Sequence, residues 1–451
     1  MEALDMFRAK IKQRVPAFVR EHRAALIVLL LLLVLRLMAL YNLGFTYSLE
    51  SDDAAYIESG IQFARTGTIT MHDNYPSAQI MPGMTVLIGL FVLLFGEGKL
   101  LWVSLKLLWI FMGLGTAWLI YRSVCLFVPK WCGIIGMLPL FRADFIWMDN
   151  LILTETPFMF ALTTMVYYTL RMGKQPGYRY FWPCAISYMA GLMLKANIAL
   201  YPLFALVYLL VTKYDRKLLA KQCVVLAGVV LCFIVPWSIR NYVHFHAFVP
   251  LTYGAGNPTL LGTYQGEEYP ADDKLDYEAN VEEIAEEKYS DYYDENGNVL
   301  PQYRRYIALQ KDAIKAKYRQ QVWWNTDYKK MLYSYGEIKP QMMIESVFYW
   351  DTVFNQPVES LQQVQRLDLY LCIASLVAAF IVKRHRKPLF FVTAVYVGNI
   401  YIYAMTYAFS RYNASLMSMR FIILGIGAGL LVELLKRGME TMTIKNDEIS
   451  V

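Results

Sequence analysis

Charge is scarce in this chain. Asp, Glu, Lys and Arg make up 18% of its 451 residues, while hydrophobic residues make up 57%. An average soluble domain is about 25% charged and about 45–50% apolar. Both departures exclude a disordered chain and argue against an ordinary cytosolic enzyme. No CxxC pair occurs. The six cysteines, Cys125, Cys132, Cys184, Cys223, Cys232 and Cys372, lie in or beside apolar runs, and the one long polar stretch has none. That leaves no disulfide framework and no cysteine metal or redox motif. Glycine-rich phosphate loops, a Rossmann pattern, internal repeats and low-complexity segments are also absent. The net charge of +6 comes from short Lys and Arg clusters scattered between apolar runs, so no nucleic-acid partner is expected.

What the chain does have is long apolar segments. A bilayer-spanning helix needs about 20 mostly apolar residues. Residues 24–43, 100–121, 131–148, 157–171, 222–239, 367–382, 389–408 and 415–435 are candidates. The run 180–212 is too long for one helix, and Lys195 and Asn197 interrupt it, which predicts two helices joined by a tight turn. The run 80–96 is short and broken by Pro82, Gly83 and Gly89. Charge decides its role. The N-terminal Arg8, Lys10, Lys12, Arg14, Arg20 and Arg23 place the start of the chain in the cytoplasm. If 80–96 does not span, the clusters at 122–130, 171–179, 213–221, 383–387 and 436–437 all face the cytoplasm too; if it spans, they all face outward. The segment is therefore read as an outer interfacial or re-entrant helix. The basic start and Leu-rich run also fit a signal peptide, but Arg36 interrupts the run and no small-x-small site follows, so a retained first span is expected.

The predicted fold class is an all-α polytopic membrane protein. It has about ten transmembrane helices, outer juxtamembrane helices and an outer, mainly helical loop domain, with both termini cytoplasmic. The expected divisions are a cytoplasmic tail 1–23, a transmembrane module 24–239 with an outer catalytic loop 44–99, an outer cap 240–366, C-terminal transmembrane helices 367–435 and a cytoplasmic tail 436–451. Within the cap, 267–298 is strongly acidic and 304–330 strongly basic. Two solvated helices pairing by charge around a turn at Asn296-Gly297 are one reading; a cap that shapes a substrate groove is the other. Asp294-Glu295-Asn296-Gly297-Asn298 lacks the spacing of a calcium loop and is read as a plain turn. The sequon Asn413-Ala414-Ser415 abuts a predicted span and is read as incidental.

The outer face collects the candidate chemistry. Asp52 and Asp53 open a predicted amphipathic helix, 52–65, with Ser51 as a possible cap. Acids at a helix N-terminus suit the dipole, which explains one of them; the pair points to a general base at the membrane surface. Glu155, in Leu153-Thr154-Glu155-Thr156-Pro157, lies at the outer end of the fourth span. Capping is its bland role, but an ionisable group at membrane depth is expensive and marks a functional candidate. Asp144 and Asp149 nearby dilute that signal. Lys195, Arg240 and Arg411 also reach the outer face, against the positive-inside tendency. Lys195 either snorkels to the interface or contacts a phosphate; each arginine needs an anionic partner in a lipid headgroup, a carboxylate or a substrate phosphate.

In order and topology these residues resemble the GT-C superfamily of integral-membrane glycosyltransferases, in particular the branch of protein O-mannosyltransferases and bacterial aminoarabinose transferases. The stretch from Asp52-Asp53-Ala54-Ala55-Tyr56 to Arg65-Thr66-Gly67 is similar to the family's Asp-Glu-x-x-Tyr helix after the first span. Asp52 falls on the catalytic aspartate, Asp53 replaces the usual Glu, and Tyr56 supports them. The segment from Pro82 to Leu94-Phe95-Gly96 looks like the non-spanning juxtamembrane helix, with one proline where the family has a Pro-Pro pair. Glu155-Thr156-Pro157 falls on a second acidic site. Lys195, Pro236-Trp237 with Arg240-Asn241-Tyr242, and Arg411-Tyr412 match looser patterns. The resemblance covers most of 24–260 and 367–435; the loop 260–366 has no motif that can be placed.

The resemblance implies an inverting transfer of a sugar from a polyprenyl-phosphate donor to an acceptor at the outer face of a cell membrane, as in a bacterial plasma membrane. Asp52 would be the base, with Asp53 and Glu155 beside it and Tyr56 and Tyr412 in support. Lys195, Arg240 and Arg411 would hold the donor phosphate. No cofactor is required, although Asp52 and Glu155 could hold a divalent metal. Membrane lipids are expected partners; the acceptor (glycan, lipid or protein) and the sugar stay open. A lipid or glycolipid transporter or flippase and a non-catalytic lipid-carrier binding protein remain alternatives. A transporter predicts internal repeats and midplane charges, neither of which is visible here.

Overall fold

The structure is a computed structural model that describes residues 2–449, with side chains over 16–437 and at Met439. Arg8, Lys10, Lys12 and Arg14, on which the cytoplasmic N-terminus was argued, lie outside the described side chains, as does most of the tail 436–451.

The regular structure among the described residues is helical, apart from one isolated bridge between Tyr293 and Val299. The N-terminal part comprises α1 (Glu2–Leu43), α2 (Asp52–Thr66), α3 (Gly83–Phe95), α4 (Lys99–Val124), α5 (Lys130–Met137), α6 (Ala143–Met148), α7 (Glu155–Lys174), α8 (Tyr178–Leu194), α9 (Tyr201–Val211) and α10 (Arg216–Phe245). The cap holds α11 (Gly256–Gly262), α12 (Glu283–Lys288), α13 (Arg304–Tyr333) and α14 (Lys339–Glu345). The chain then closes with α15 (Val358–Val382), α16 (Arg386–Ala404), α17 (Ser410–Ala414) and α18 (Met417–Ile449).

Among the described residues, five helical segments are long and apolar enough to cross a membrane: Pro16–Leu43, Lys99–Val124, Arg216–Phe245, Val358–Val382 and Met417–Arg437. The other expected spans are met by shorter or interrupted helices. As the two polar breaks predict, 180–212 forms α8 and α9 with a 3₁₀ turn at Ala196–Leu200 between them. The run 131–148, expected as one span, is instead α5 and α6 separated by a 3₁₀ turn, Leu138–Phe141. Pro139 has no N–H to continue the ladder. Arg142 follows in extended conformation, and its guanidinium is buried against Asp144, Asp368 and Gln365. A charge network, not an apolar helix, fills that depth.

Helix α3 has 13 residues, about 20 Å at 1.5 Å per residue, too short for a hydrocarbon core of about 30 Å. It lies against α2 with little room to spare: a Cβ on Gly60 would strike Ile88, and one on Gly89 would strike Phe63. Gly89, which reads as a break in sequence, serves a close helix approach.

The basic clusters meet at one end of the bundle. There Lys130 pairs with Glu21 at 2.9 Å, Lys174 donates to the Leu126 carbonyl, Lys387 donates to the Val211 carbonyl at 2.9 Å, and Arg384 pairs with Glu433 at 3.1 Å. The N-termini of α2 and α7, the C-terminus of α8, and α17 gather at the opposite end, under the cap.

In the cap, Lys311 pairs with Glu282 at 2.6 Å, and Arg319 and Lys330 pair with Asp272 and Glu267. The expected basic helix is α13. The expected acidic helix is not continuous; only a π turn at Glu278–Glu282 and the short α12 form. Successive acids on one helix repel each other, while α13 offers Glu267, Asp272 and Glu282 a cation each. At the turn, Gly297 takes a φ of 76°, and the Asp294 carboxylate accepts the N–H groups of Asn296 and Asn298, both at 2.9 Å.

Candidate active site

The two adjacent aspartates have different surroundings. Asp53 is fully buried and accepts the backbone N–H groups of Leu49 at 2.8 Å and Ser51 at 3.2 Å. It ties the loop after α1 to the first turn of α2, whereas Ser51 makes no side-chain cap. Asp52 points the other way, with its side chain 36% exposed to an open cavity of about 460 Å³. Tyr56, one turn further on, lines the same cavity; Asp53 does not. The pair is thus split into a cap and a cavity carboxylate.

Glu155, the first residue of α7, is fully buried. Its Oε1 receives Lys195 Nζ at 2.8 Å and lies 2.8 Å from Arg411 Nε, while Oε2 has no partner. Arg411 sits on α17 and turns Nη1 to Asp52 Oδ2 at 2.7 Å. Lys195 extends from the turn after α8, between the rings of Phe158 and Tyr412 at 5.4 and 5.5 Å. Tyr412 is stacked on Tyr403 with ring centroids 4.4 Å apart. Residues 52, 155, 195 and 411, far apart in sequence, are therefore one charged cluster on one wall of one cavity.

Arg240 does not join them. Its Nη1 donates to Ser77 O at 2.8 Å and to Asn241 Oδ1 at 2.9 Å, and its Nη2 donates to Ile69 O at 3.3 Å. It lines a separate groove with Pro82, Met193, Phe233 and Trp237. The segment 77–82 stands between that groove and the cavity, contributing Pro82 to one and Gln79, Ile80 and Met81 to the other. Carbonyl oxygens supply the partners this outer-face arginine needs. The expected convergence of three cations holds for two.

Three further residues line the cavity without a motif to announce them. His72 Nε2 lies 3.8 Å from Asp52 Oδ1. Burial, with Arg305 beside it, keeps the imidazole below its ordinary range, against the pull of Asp52, Asp73 and Glu58. Arg305, from the first turn of α13, donates to Gln79 Oε1 at 2.8 Å. Of these, only Arg305 carried a sequence signal, as one of many basic residues in 304–330. Its position gives the cap a part in shaping the cavity as well as a charge-paired fold of its own. Three fixed cations, Lys195, Arg305 and Arg411, now face two carboxylates, so the cavity favours an added anion.

A divalent metal fits this arrangement poorly. Asp52 and Glu155 are bridged by the Arg411 guanidinium, which a cation would have to displace. Among the described residues no group of three or more His, Cys, Asp or Glu is placed to hold one.

The upstream carboxylates Asp144 and Asp149 belong to the scaffold. Asp149 accepts Arg36 Nε at 2.6 Å and Thr156 Oγ1 at 2.8 Å, which anchors α1 to the chain entering α7. Asp144 pairs with Arg142 at 2.8 Å.

Residues 79–239 match the family described as dolichyl-phosphate-mannose-protein mannosyltransferase. The matched segment includes Gln79, Glu155 and Lys195 and stops short of Asp52 and Arg411. The structure is similar to the archaeal oligosaccharyltransferase AglB from Archaeoglobus fulgidus in complex with an inhibitory peptide and a dolichol-phosphate, with a TM-score of 0.55 and 14% identity. The similarity covers 94% of this chain and 52% of that one, so this chain spans about half its length. It is also similar to ArnT from Cupriavidus metallidurans bound to undecaprenyl phosphate, with a TM-score of 0.43, 14% identity, and 90% and 78% of the two chains covered. No curated protein matches the sequence. The family match and the shared helical membrane fold bear out the resemblance to GT-C glycosyltransferases.

Proposed function

We propose that this chain is an inverting glycosyltransferase that moves a sugar from a polyprenyl-phosphate carrier to an acceptor at the outer membrane surface. The observation that carries the reading is the Asp52–Arg411–Glu155–Lys195 cluster at the wall of one open cavity. Asp52 is the only one of its two carboxylates with an oxygen free of a fixed cation's grip and open to the cavity. It is the base that takes the acceptor proton as the acceptor oxygen or nitrogen attacks the anomeric carbon. The bond from that carbon to the phosphate breaks, and the carrier leaves as a phosphate anion. A phosphate leaving group needs no general acid; it needs fixed positive charge where its own charge grows.

Lys195 and Arg411 supply that charge. The Lys195 ammonium has three donors and the Arg411 guanidinium five. Glu155 and Asp52 occupy only some of them, so both cations retain donors for a phosphate. Glu155 sets their positions and lowers their mutual repulsion. Asp53 has no part in the chemistry and holds Asp52 in place through the loop. The reading also puts the basic end of the bundle in the cytoplasm and the cap outside, and it needs no metal.

The test is to incubate the purified chain in lipid nanodiscs with a panel of undecaprenyl-phosphate-linked sugars and a panel of glycan, lipid and peptide acceptors, and to follow release of undecaprenyl phosphate with the sugar appearing on an acceptor, in the presence of chelator. Release with one of these donors, lost in Asp52→Asn, is the expected result. Binding of undecaprenyl phosphate without release from any donor would favour a carrier-binding protein instead.

A further inference from the structure

His72, 3.8 Å from Asp52, lines two cavities of opposite character. On one side is the cation-rich cavity just described. On the other, a groove of about 480 Å³ runs along α2, lined by Ala55, Glu58, Ser59, Ile61, Gln62 and Arg65 of that helix. Asp73 and Asn74 form one wall and Glu97 closes the far end, where Arg65 is held by Glu97 in two parallel bonds of 2.8 and 2.6 Å. His72 lines both cavities and faces Asp52 Oδ1, the oxygen that Arg411 leaves free. From Ala55 to Arg65 the groove extends about 15 Å along the helix axis. Glu58, Gln62 and Asn74 make no hydrogen bond or ion pair with their side chains within the described residues, and all three face the groove.

We infer that this groove is the acceptor site, and that its ligand is a neutral or amine-bearing polyhydroxylated group, the end of a glycan. The inference rests on the transferase reading above and adds the class of the second substrate. Carboxylates and side-chain amides offer paired acceptors, or an acceptor beside a donor, in one plane, the geometry that adjacent sugar hydroxyls satisfy. Three carboxylates, Glu58, Asp73 and Glu97, face a single cation, Arg65, which Glu97 already neutralises. That field repels phosphorylated or uronic-acid acceptors while leaving the donor phosphate its own cation-rich cavity. Apart from Ala55 and Ile61, the groove is lined by polar and charged residues, which suits hydroxyl groups better than apolar peptide side chains. An acceptor lying along α2 brings its terminal hydroxyl to the His72–Asp52 end, next to the basic oxygen.

The test uses the full chain in nanodiscs and ligand-observed NMR with four probes: the N-acetylglucosamine trimer, the glucosamine trimer, the galacturonate trimer and a Ser/Thr-containing peptide. Undecaprenyl phosphate binding is measured in parallel. The neutral and amine trimers should bind, and Gln62→Ala with Asn74→Ala should weaken them about tenfold, the loss of one to two hydrogen bonds. The galacturonate trimer should bind only after Glu58→Lys with Asp73→Lys. None of these changes should alter undecaprenyl phosphate binding, and Arg411→Ala should remove that binding while leaving the trimers bound. Binding of the galacturonate trimer or the peptide to the unmodified chain, failure of both other trimers to bind, or indifference of their binding to the Gln62 and Asn74 changes would overturn the acceptor assignment. The transferase reading survives those results if undecaprenyl phosphate still binds and its sugar is transferred. Trimer binding without undecaprenyl phosphate binding sinks that reading alone.

Discussion

Arg411 Nη1 lies 2.7 Å from Asp52 Oδ2, a contact between residues 359 positions apart. Through Nε the same guanidinium reaches Glu155. One planar cation therefore couples the start of α2, the start of α7 and the turn before α18. It leaves Asp52 Oδ1 on the side of His72, whose Nε2 is 3.8 Å away.

Replacing Arg411 tests that coupling. A lysine keeps the charge but cannot reach two carboxylates in fixed directions. Arg411→Lys is expected to impair donor use nearly as much as Arg411→Met, with KM for the undecaprenyl-phosphate sugar raised and kcat reduced in both. A lysine variant close to wild type would show that charge alone suffices and that the bridge is incidental.

The neighbouring aspartates should separate cleanly. Asp52→Asn is expected to reduce kcat by about 10²–10⁴-fold, the usual worth of a general base, with only a small loss of thermal stability, since Asn keeps an acceptor for Arg411 and Glu155 still neutralises it. Asp53→Asn keeps an acceptor for Leu49 and Ser51 but loses the charge-assisted strength of those bonds. It should lower the melting temperature and leave most of the activity of the folded fraction. The opposite pattern in paired melting and kinetic measurements would exchange the two roles.

The buried pair Arg36–Asp149, at 2.6 Å and almost wholly enclosed, makes a prediction about stability. Breaking a buried pair from one side leaves an uncompensated charge and costs about 3–5 kcal/mol. Arg36→Met and Asp149→Leu should each destabilise the protein by that order, and the double variant should recover most of the loss. Thermal unfolding in nanodiscs reads it out; additive losses would show that each side chain contributes through other contacts, such as Thr156 for Asp149.

Lys339 makes a prediction about pH. Its ammonium is fully buried in the outer cap, donates to Thr406 O at 2.8 Å and sits over the Tyr335 ring, and burial pulls its pKa down to about 7. Between that value and the 10.5 of the free side chain, the unfolded chain binds a proton that the folded chain does not. This group therefore makes stability rise as pH rises from about 7 to about 10.5. Lys339→Met should abolish the rise, so that the variant gains on wild type most near pH 7 and least near pH 10. Melting curves of both proteins across that range decide it; a constant difference would mean the amine does not titrate there.

Much of the membrane architecture could be read from local composition. Apolar runs of sufficient length, and the placement of Lys and Arg between them, were enough to identify α1, α4, α10, α15 and α18 and to keep the short 80–96 segment from being taken as a span. Both signals act within one segment, through transfer free energy and backbone satisfaction, so no partner segment is needed to see them. The same holds for Asp52 and Glu155, whose place at a helix start beside the membrane already makes them costly. In the run 131–148 Pro139 was a local sign of the break, but the buried Arg142 that follows it is satisfied by Asp368 and Gln365, more than two hundred residues away, which composition does not show.

Arg240 and Arg411 show where local signals end. Both are arginines near the outer end of an apolar run, and both run against the positive-inside tendency, so the sequence treats them alike. Which one meets Asp52 depends on which helix ends pack side by side around the cavity. Segment 77–82 intervenes at the end of α10 and satisfies Arg240 with carbonyls, while α17 places Arg411 between two carboxylates. Asp52 and Asp53 differ for a related reason. Successive residues at a helix start point about 100° apart, so one faced the turn that needed a cap and the other the space left between α2, α7 and α17. The cost of leaving a buried charge unpartnered selects residue types that sequence can show, but the partner that relieves that cost is chosen by packing.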